Sequence, residues 1–423
     1  MPIAEMIERR LTGVVQRRLQ EEPVVALQGP RTVGKSTLLR AIATEHDRPV
    51  LDLDDLATRD AVSADPALFV AGTGPICIDE YQHAPALLDA IKAELNLELR
   101  SGRYLLTGST RYDALPEAAQ ALTGRLHVID VLPLSQRELE GCEGNAVGSM
   151  FEEPAAFAAA ANESPTTRAE YIARVHAGGM PLTLARQSGP ARGRWIDDYV
   201  ALTLERDVRE LSRIRQRELL PRLLQRLAAQ TAQVLNVTTA ARETRLDEAT
   251  AENYTRLLEA VFLIRRLPAW GMTLRRRASA RPKLHVVDSG VAARLSRLTP
   301  ERLATLTPAA LTEFGHVLET FAVGELLAQA TWLDGIAALG HWRTHDGDEV
   351  DLVIERDDGA VVAVEVKAGS RVPGDDLRAL RKLRNAVGDM FVAGIVLYLG
   401  RRAYTTEDRI HVMPLDVLWR PLP

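Results

Sequence analysis

Residues 24–45, VVALQGPRTVGKSTLLRAIATE, set an apolar strand pattern against a helical one, with two glycines, a lysine and a hydroxyl residue between them. Gly29, Gly34, Lys35 and Ser36 fit the spacing G-x-x-x-x-G-K-[ST], and the flanking strand and helix are the context this spacing requires. Glycines let backbone N–H groups wrap a polyphosphate, and a helix N-terminus adds positive potential there. Lys35 then reaches the β and γ phosphates, Ser36 ligates Mg²⁺, and Pro30, Arg31, Thr32, Val33 and Thr37 complete the cradle. A plain turn would account for Gly29, but not for a lysine followed by a hydroxyl. The cofactors expected from this stretch are ATP and Mg²⁺.

Asp79, 44 residues after Lys35, closes the strand pattern PICID and is followed by Glu80. Asp79 is expected in the Mg²⁺ shell, and Glu80, one residue beyond the strand, is expected to orient or deprotonate an attacking water. That pair predicts hydrolysis. The next strand pattern, YLLTGST (104–110), ends in Thr107, Ser109 and Thr110, which would bring a hydroxyl near the γ-phosphate.

Short apolar runs alternate with helical segments from 23 to 134, as in a parallel sheet buried on both faces. The expected fold class is α/β, with a P-loop NTPase domain over 1–140. Residues 141–165 are biased towards Gly, Ala, Glu and Pro without clear core periodicity, and read as a linker or insertion. Residues 166–300 read as a helical domain, and 301–423 as a separate module of helix, two alternating segments, helix and strand.

Composition narrows the setting. Two cysteines, Cys77 and Cys142, make no disulfide framework and suit a reducing compartment, so a cytoplasmic location is expected. The N-terminus lacks a signal-peptide core and no apolar run approaches a membrane span, which predicts no membrane partner. The formal charge of -5 excludes a uniformly basic nucleic-acid binder, yet residues 205–285 hold 17 Lys and Arg against 9 Asp and Glu. Within that window, NVTTAARETRLDEATAENYTRLLEAVFLIRRLP reads as a short helix, a break and a longer helix, and AWGMTLRRRASARPKLHVV as a β-wing, together a winged helix. Arg265, Arg266, Arg275, Arg276, Arg277, Arg281 and Lys283 would then contact nucleic-acid phosphates, without base reading.

Near the C-terminus, EVDLVIERDDGAVVAVEVK (349–367) places Asp351, Glu365 and Lys367 in a D…E-x-K spacing. If Asp357, Asp358 and Gly359 form a three-residue hairpin loop, Arg356 pairs with Ala360 and Asp351 lies opposite Glu365. Glu349 then lies opposite Lys367 on the same face, with Val350, Leu352 and Ile354 opposing Val362, Val364 and Val366 on the other. Two carboxylates so close repel unless a cation intervenes, and Mg²⁺, or Mn²⁺, accepts such a pair. Lys367 would neutralise a scissile phosphate or position water. The alternative is an exposed face with a Glu349–Lys367 cross-strand pair and no chemistry.

LQGPRTVGKSTLL, CIDEYQHAPALLDAIK, YLLTGSTRY and LTGRLHVIDVLPLSQRELEG resemble successive blocks of a bacterial and archaeal P-loop ATPase family of the extended AAA type. Its members end in a domain that resembles restriction-endonuclease-like, PD-(D/E)XK, nucleases, and GGMPLTLARQ, PKLHVVDSGVAARL and HWRTHDGDEVDLVIE extend the likeness over nearly the whole chain. The resemblance implies an AAA-like parallel sheet, Ser109 or Thr107 at the sensor position, and Arg125 as a charge stabiliser acting in cis or across a subunit. It also implies a carboxylate from the helix before the hairpin, for which Glu319 and Glu325 compete. The leading reading is an Mg²⁺-dependent ATPase that binds DNA and cuts it at the C-terminal site. The alternatives are a nucleotide-driven regulatory switch whose C-terminal domain binds a protein partner without cleaving, and a motor on nucleic acid, with homo-oligomerisation left open.

Overall fold

The computed structural model describes residues 7–115, 122–161, 163–186, 189–211, 216–273 and 280–421. Strands β1 (Val24–Gln28), β2 (Val50–Asp52), β3 (Ile76–Asp79), β4 (Tyr104–Gly108) and β5 (Leu126–Asp130) form a parallel sheet in the order β2-β3-β4-β1-β5. Every residue of β1 is buried, as a central parallel strand demands. Val24 and Ala26 pack on one face beneath helix Ala86–Leu97, while Val25 and Leu27 pack on the other with helices Leu11–Glu21 and Lys35–Glu45. The registers Gln28↔Gly108, Gln28↔Asp130 and Asp52↔Asp79 align the carboxyl ends of the strands along one edge, where ligands of open α/β sheets bind.

The segment expected as a linker or insertion is folded into the core. Helices Ala146–Glu152 and Pro154–Ala160 bury Ala146, Val147, Met150, Phe151, Phe157 and Ala158 in the largest apolar core. Its composition hid a helical spacing of apolar residues, and small alanines pack as closely as they do because they bring little volume.

The middle region is mostly helical. Helix Leu220–Ala228 is followed by β6 (Gln233–Val234), helices Val237–Thr244 and Glu248–Ala260, then β7 (Ile264–Leu267) and β8 (Lys283–Val286), with the strands antiparallel in the order β6-β8-β7. Arg275, Arg276 and Arg277 lie outside the described residues.

The last region packs helix Pro308–Ala330 against a mixed sheet of β9 (Ile336–Arg343), β10 (Glu349–Arg356), β11 (Val361–Lys367), β12 (Phe391–Tyr398), β13 (Tyr404–Glu407) and β14 (Ile410–Pro414), ordered β13-β14-β12-β11-β10-β9. The β10–β11 hairpin has the register read from its turn: Leu352 faces Val364, Ile354 faces Val362, and the Arg356 N–H donates to the Ala360 carbonyl at 2.9 Å. Gly359 stands at φ 82°, where a side chain would be strained. Val350 departs from the expected apolar row. A register shift between Val350 and Val353 sends it into the cluster that contains Leu380 and Leu383, away from Leu352 and Ile354.

One apolar core runs from Leu132 through the middle region to Trp419, so the last two regions share an interior. Among the described residues no helix is long and apolar enough to cross a membrane. Phe157→Ala should lower stability by about 3–5 kcal/mol, the cost of emptying an aromatic core site, rather than the ~0.5 kcal/mol of a surface linker. The shift in urea midpoint measures it.

Candidate nucleotide site and the C-terminal carboxylate cluster

The loop after β1 is shaped by close approach. A Cβ on Gly29 would stand 2.2 Å from the Val131 carbonyl oxygen, so no other residue fits. Thr32 at φ 61° and Gly34 at φ 102° then turn the chain into helix Lys35–Glu45. Lys35 is buried, and its ammonium donates to the carbonyls of Gly29 at 2.9 Å and Pro30 at 2.7 Å. Burial pulls its pKa down from 10.5 to about 8 against the opposing pull of Glu80. Arg9 clamps the loop from outside, donating to the Val33 carbonyl at 2.8 Å, the Leu132 carbonyl at 2.8 Å and Glu138 at 2.9 Å.

Facing the loop, the Ser36 hydroxyl donates to Asp79 at 3.1 Å, and the Thr107 hydroxyl donates to the same carboxylate oxygen. Burial raises the Asp79 pKa, partly offset by these two donors. Glu80 occupies a left-handed backbone position, φ 55°, and its amide donates to Thr107 Oγ1 at 3.3 Å. The Ser109 hydroxyl donates to Glu80 Oε2 at 2.8 Å, and the Gln82 amide donates to the same oxygen. Because β4 lies between β1 and β3, these hydroxyls reach the Asp79–Glu80 corner. Ser109 therefore acts on Glu80, and Thr107 on Asp79.

A cavity of about 650 Å³ opens here, lined by Thr32 to Thr37, Glu80 and Arg9, with Pro181, Leu182, Leu184 and Ala185 as an apolar wall from the middle region. Its size and its split into a phosphate cradle and an apolar wall fit a nucleotide; Ser36 and Asp79 are the residues that would hold Mg²⁺. Arg9 and the wall escaped sequence reasoning. The motif spacing stops at the loop, and GGMPLTLARQ was the only signal for the wall.

Two expected cofactor contacts point elsewhere. Arg31 donates to both carboxylate oxygens of Asp207, each at 2.7 Å, on helix Pro190–Leu211. Arg125 donates to Asn96 Oδ1 at 2.7 Å, held by helix Ala86–Leu97, and is not among the residues lining the cavity. A role for Arg125 in cis is thereby corrected, because its guanidinium is already engaged on that helix.

In the C-terminal region, Asp351 meets a side chain assigned to another role. The Lys283 ammonium, on β8, lies 2.6 Å from Glu319, 2.5 Å from Glu349 and 2.9 Å from Asp351. Its side chain is 1% exposed, so it cannot contact a nucleic-acid backbone, which corrects that expectation. Asp351 also accepts from the Val366 amide at 2.9 Å, and Lys367 donates to Glu365 at 2.8 Å. Burial and the neighbouring Asp351 push the Glu365 carboxyl up to about 8 and the Glu319 carboxyl well above its ordinary range. Glu319 joins this cluster. Glu325 does not: both its oxygens accept from the Gln136 amide, at 2.9 and 2.8 Å, so it is no metal ligand.

Among the described residues no group of three or more His, Cys, Asp and Glu is arranged to hold a metal ion. With Lys283 in the middle of the carboxylates, Mg²⁺ or Mn²⁺ does not fit there. Arg265 and Arg266 are likewise spent, on Asp130 at 2.9 Å and on Glu252 at 2.9 Å and Glu259 at 3.2 Å. Arg281 is exposed.

Residues 21–140 match the family described as AAA domain, and residues 168–302 and 314–418 each match a domain of unknown function, DUF8612 and DUF4143. The uncharacterized protein Rv2008c of Mycobacterium tuberculosis is 28% identical over 416 residues, covering 97% of this chain and 84% of its own. The uncharacterized protein Mb2031c of Mycobacterium bovis matches with the same figures, 28% over 416 residues. Among solved structures, the RuvB Holliday junction branch migration motor of Thermotoga maritima aligns at 17% identity and TM-score 0.30, over 62% of this chain and 90% of that one. A signal transduction ATPase with a tetratricopeptide repeat sensor from Pyrococcus horikoshii aligns at 11% identity and TM-score 0.27, over 76% of this chain and 48% of that one. Likeness at these scores says nothing about what this chain binds.

A protonated Lys35 is needed to hold phosphate, and its folded pKa of about 8 lies below the ordinary 10.5. Affinity for a non-hydrolysable ATP analogue should hold below pH 8 and weaken by up to about tenfold per pH unit above it, as each protein must first regain a proton. Calorimetric titration across that range measures this, and Lys35→Arg should flatten the slope.

Proposed function

We propose, starting from the AAA-type P-loop ATPase that residues 21–140 form, that Mg²⁺-ATP hydrolysis there drives a switch in how the rest of the chain engages a partner. The observation that carries it is the paired corner of Asp79, held by Ser36 and Thr107, and Glu80, held by Ser109 and Gln82. The metal, when bound, neutralises charge that builds on the phosphate oxygens. Lys35 would exchange the Gly29 and Pro30 carbonyls for phosphate oxygens, lifting the strain of burying its charge. Glu80 has its carboxylate fixed by two donors, so it is oriented to accept a proton from an attacking water.

The switch part of the reading rests on where the cradle ends. Arg31 of the loop is paired with Asp207, 2% exposed in side chain, on a middle-region helix, and the cavity takes its apolar wall from that same region. In this reading residues 1–140 are the motor, 166–300 the transmitter and 301–423 the effector body. The embedded Lys283 favours an effector that binds a partner over one that cuts DNA.

A DNA partner has separate support. The order helix, strand, helix, helix, strand, strand, with the strands arranged β6-β8-β7, is the connectivity of a winged helix, and exposed Arg281 borders the basic run. Arg265, Arg266 and Lys283 give no support, being consumed by internal ion pairs.

Glu80→Gln should lower the turnover of Mg²⁺-ATP by about 10²–10⁴-fold while leaving nucleotide affinity nearly intact, and Lys35→Ala should lose the affinity itself. Phosphate release and analogue binding, measured side by side, separate the two. Turnover of Glu80→Gln within about twofold of the parent would remove Glu80 from its role.

A further inference from the structure

We propose that the C-terminal carboxylate cluster is a cation site whose cation is built into the chain: the Lys283 ammonium replaces a divalent ion, and removing that side chain uncovers a site for Mn²⁺ or Mg²⁺. The inference is independent of ATP hydrolysis.

Three carboxylates converge on one ammonium at 2.5 to 2.9 Å, from helix Pro308–Ala330 (Glu319) and from β10 (Glu349, Asp351). Hard oxygen donors of this kind, with none of nitrogen or sulfur, suit Mg²⁺ and Mn²⁺. A further oxygen waits beside them. Glu365 is 7% exposed; one of its oxygens is held by Lys367 at 2.8 Å, and the other, Oε2, is buried without a hydrogen-bond partner. An ordinary salt bridge satisfies its carboxylates, and a buried orphan oxygen is costly. A cluster built around a cation of higher charge and more ligands leaves such an oxygen over when a single ammonium stands in.

Lys283 is not placed to withdraw. Its backbone is locked in the central strand of the small sheet, paired with Val234 on one side and Leu267 on the other. The segment between β7 and β8 is tied to β9 as well: the His341 amide donates to the Pro268 carbonyl at 2.9 Å and the Trp270 amide to the His341 carbonyl at 2.6 Å. With one apolar core beneath both regions, the lysine is a permanent resident rather than a gate. The ammonium thus ties the middle region to the C-terminal one at the point where a metal would otherwise sit.

The test uses the full chain carrying Asp79→Asn and Ser36→Ala, which silences metal binding at the nucleotide site, and reads Mn²⁺ binding by calorimetry and by the melting temperature. This parent should bind no Mn²⁺ at the cluster. Adding Lys283→Ala, or Lys283→Met where a longer apolar stem is needed for folding, should create one Mn²⁺ site per chain and make the melting temperature rise with Mn²⁺. Adding Asp351→Asn should abolish both effects. Should either Lys283 variant be unfolded without metal, Mn²⁺ should restore its melting transition. The proposal is overturned if the parent binds Mn²⁺ in an Asp351-dependent way, if folded Lys283 variants gain no ion, or if Mn²⁺ fails to rescue unfolded ones.

Discussion

A lysine ammonium held out of water by two backbone carbonyls organises the N-terminal third of this chain. Lowering the Lys35 pKa from 10.5 to about 8 corresponds to about 3 kcal/mol spent on keeping that charge buried. Such a cost persists only where the surroundings over-determine the position. Here Gly29 presses against the Val131 carbonyl, Arg9 clamps Val33, and Asp79 and Glu80 face the loop from the end of β3. A phosphate chain would return the cost as binding energy, because it supplies the negative partner that the carbonyls only imitate. The loop is therefore held ready, with its strain stored where the ligand acts.

The same economy of contacts recurs at residues 135–138. Ser135 and Glu138 cap each other's backbone, Gln136 gives its amide to Glu325, and the fully buried Arg137 donates to the carbonyls of Leu418 and Arg420 at 2.9 and 3.0 Å. Glu138 also receives Arg9, which holds the phosphate loop. One short turn thus touches the loop, the long C-terminal helix and the end of the chain. Buried guanidinium and carboxylate groups with every partner supplied hold geometry tightly, whereas breaking one partner leaves the other exposed to a large penalty.

Much of this was legible in the residues. The strand-loop-helix around Lys35 and the β10–β11 register follow from local rules, since a three-residue turn with Gly359 at positive φ sets which side chains oppose each other. The helices of 146–160 were hidden because alanine and glycine carry weak periodic signal, and burial decides what composition cannot. Lys283 was misread, and the choice between Glu319 and Glu325 left open, for a different reason. A lysine in a basic run looks solvated, and a glutamate in a helix looks available, until elements distant in sequence arrive: helix Pro308–Ala330 and β10 beside Lys283, and Gln136 beside Glu325. Arg9 shows the same blindness, because its three partners lie 24 to 129 residues away.

Packed and polar contacts together set how tightly the parts of the chain are joined. The middle and C-terminal regions share one interior from Leu132 to Trp419, and Lys283 braces them from within. The ATPase sheet keeps separate cores on its two faces. It meets those regions through Arg31–Asp207, Asp130–Arg265, the Leu134 amide on the Gly179 carbonyl at 2.8 Å and the buried turn at 135–138, while Leu132 joins their core and Trp332 packs against the ATPase core. Interdigitated apolar surfaces resist sliding, and a buried pair such as Arg31–Asp207 is costly to break. The nucleotide cavity lies at that junction, with Gly34 to Thr37 on one wall and Pro181, Leu182, Leu184 and Ala185 on the other. A ligand shifts an equilibrium only by binding one state better than the other. A nucleotide touching both walls would hold them together, and losing its terminal phosphate would remove contacts from the cradle side alone.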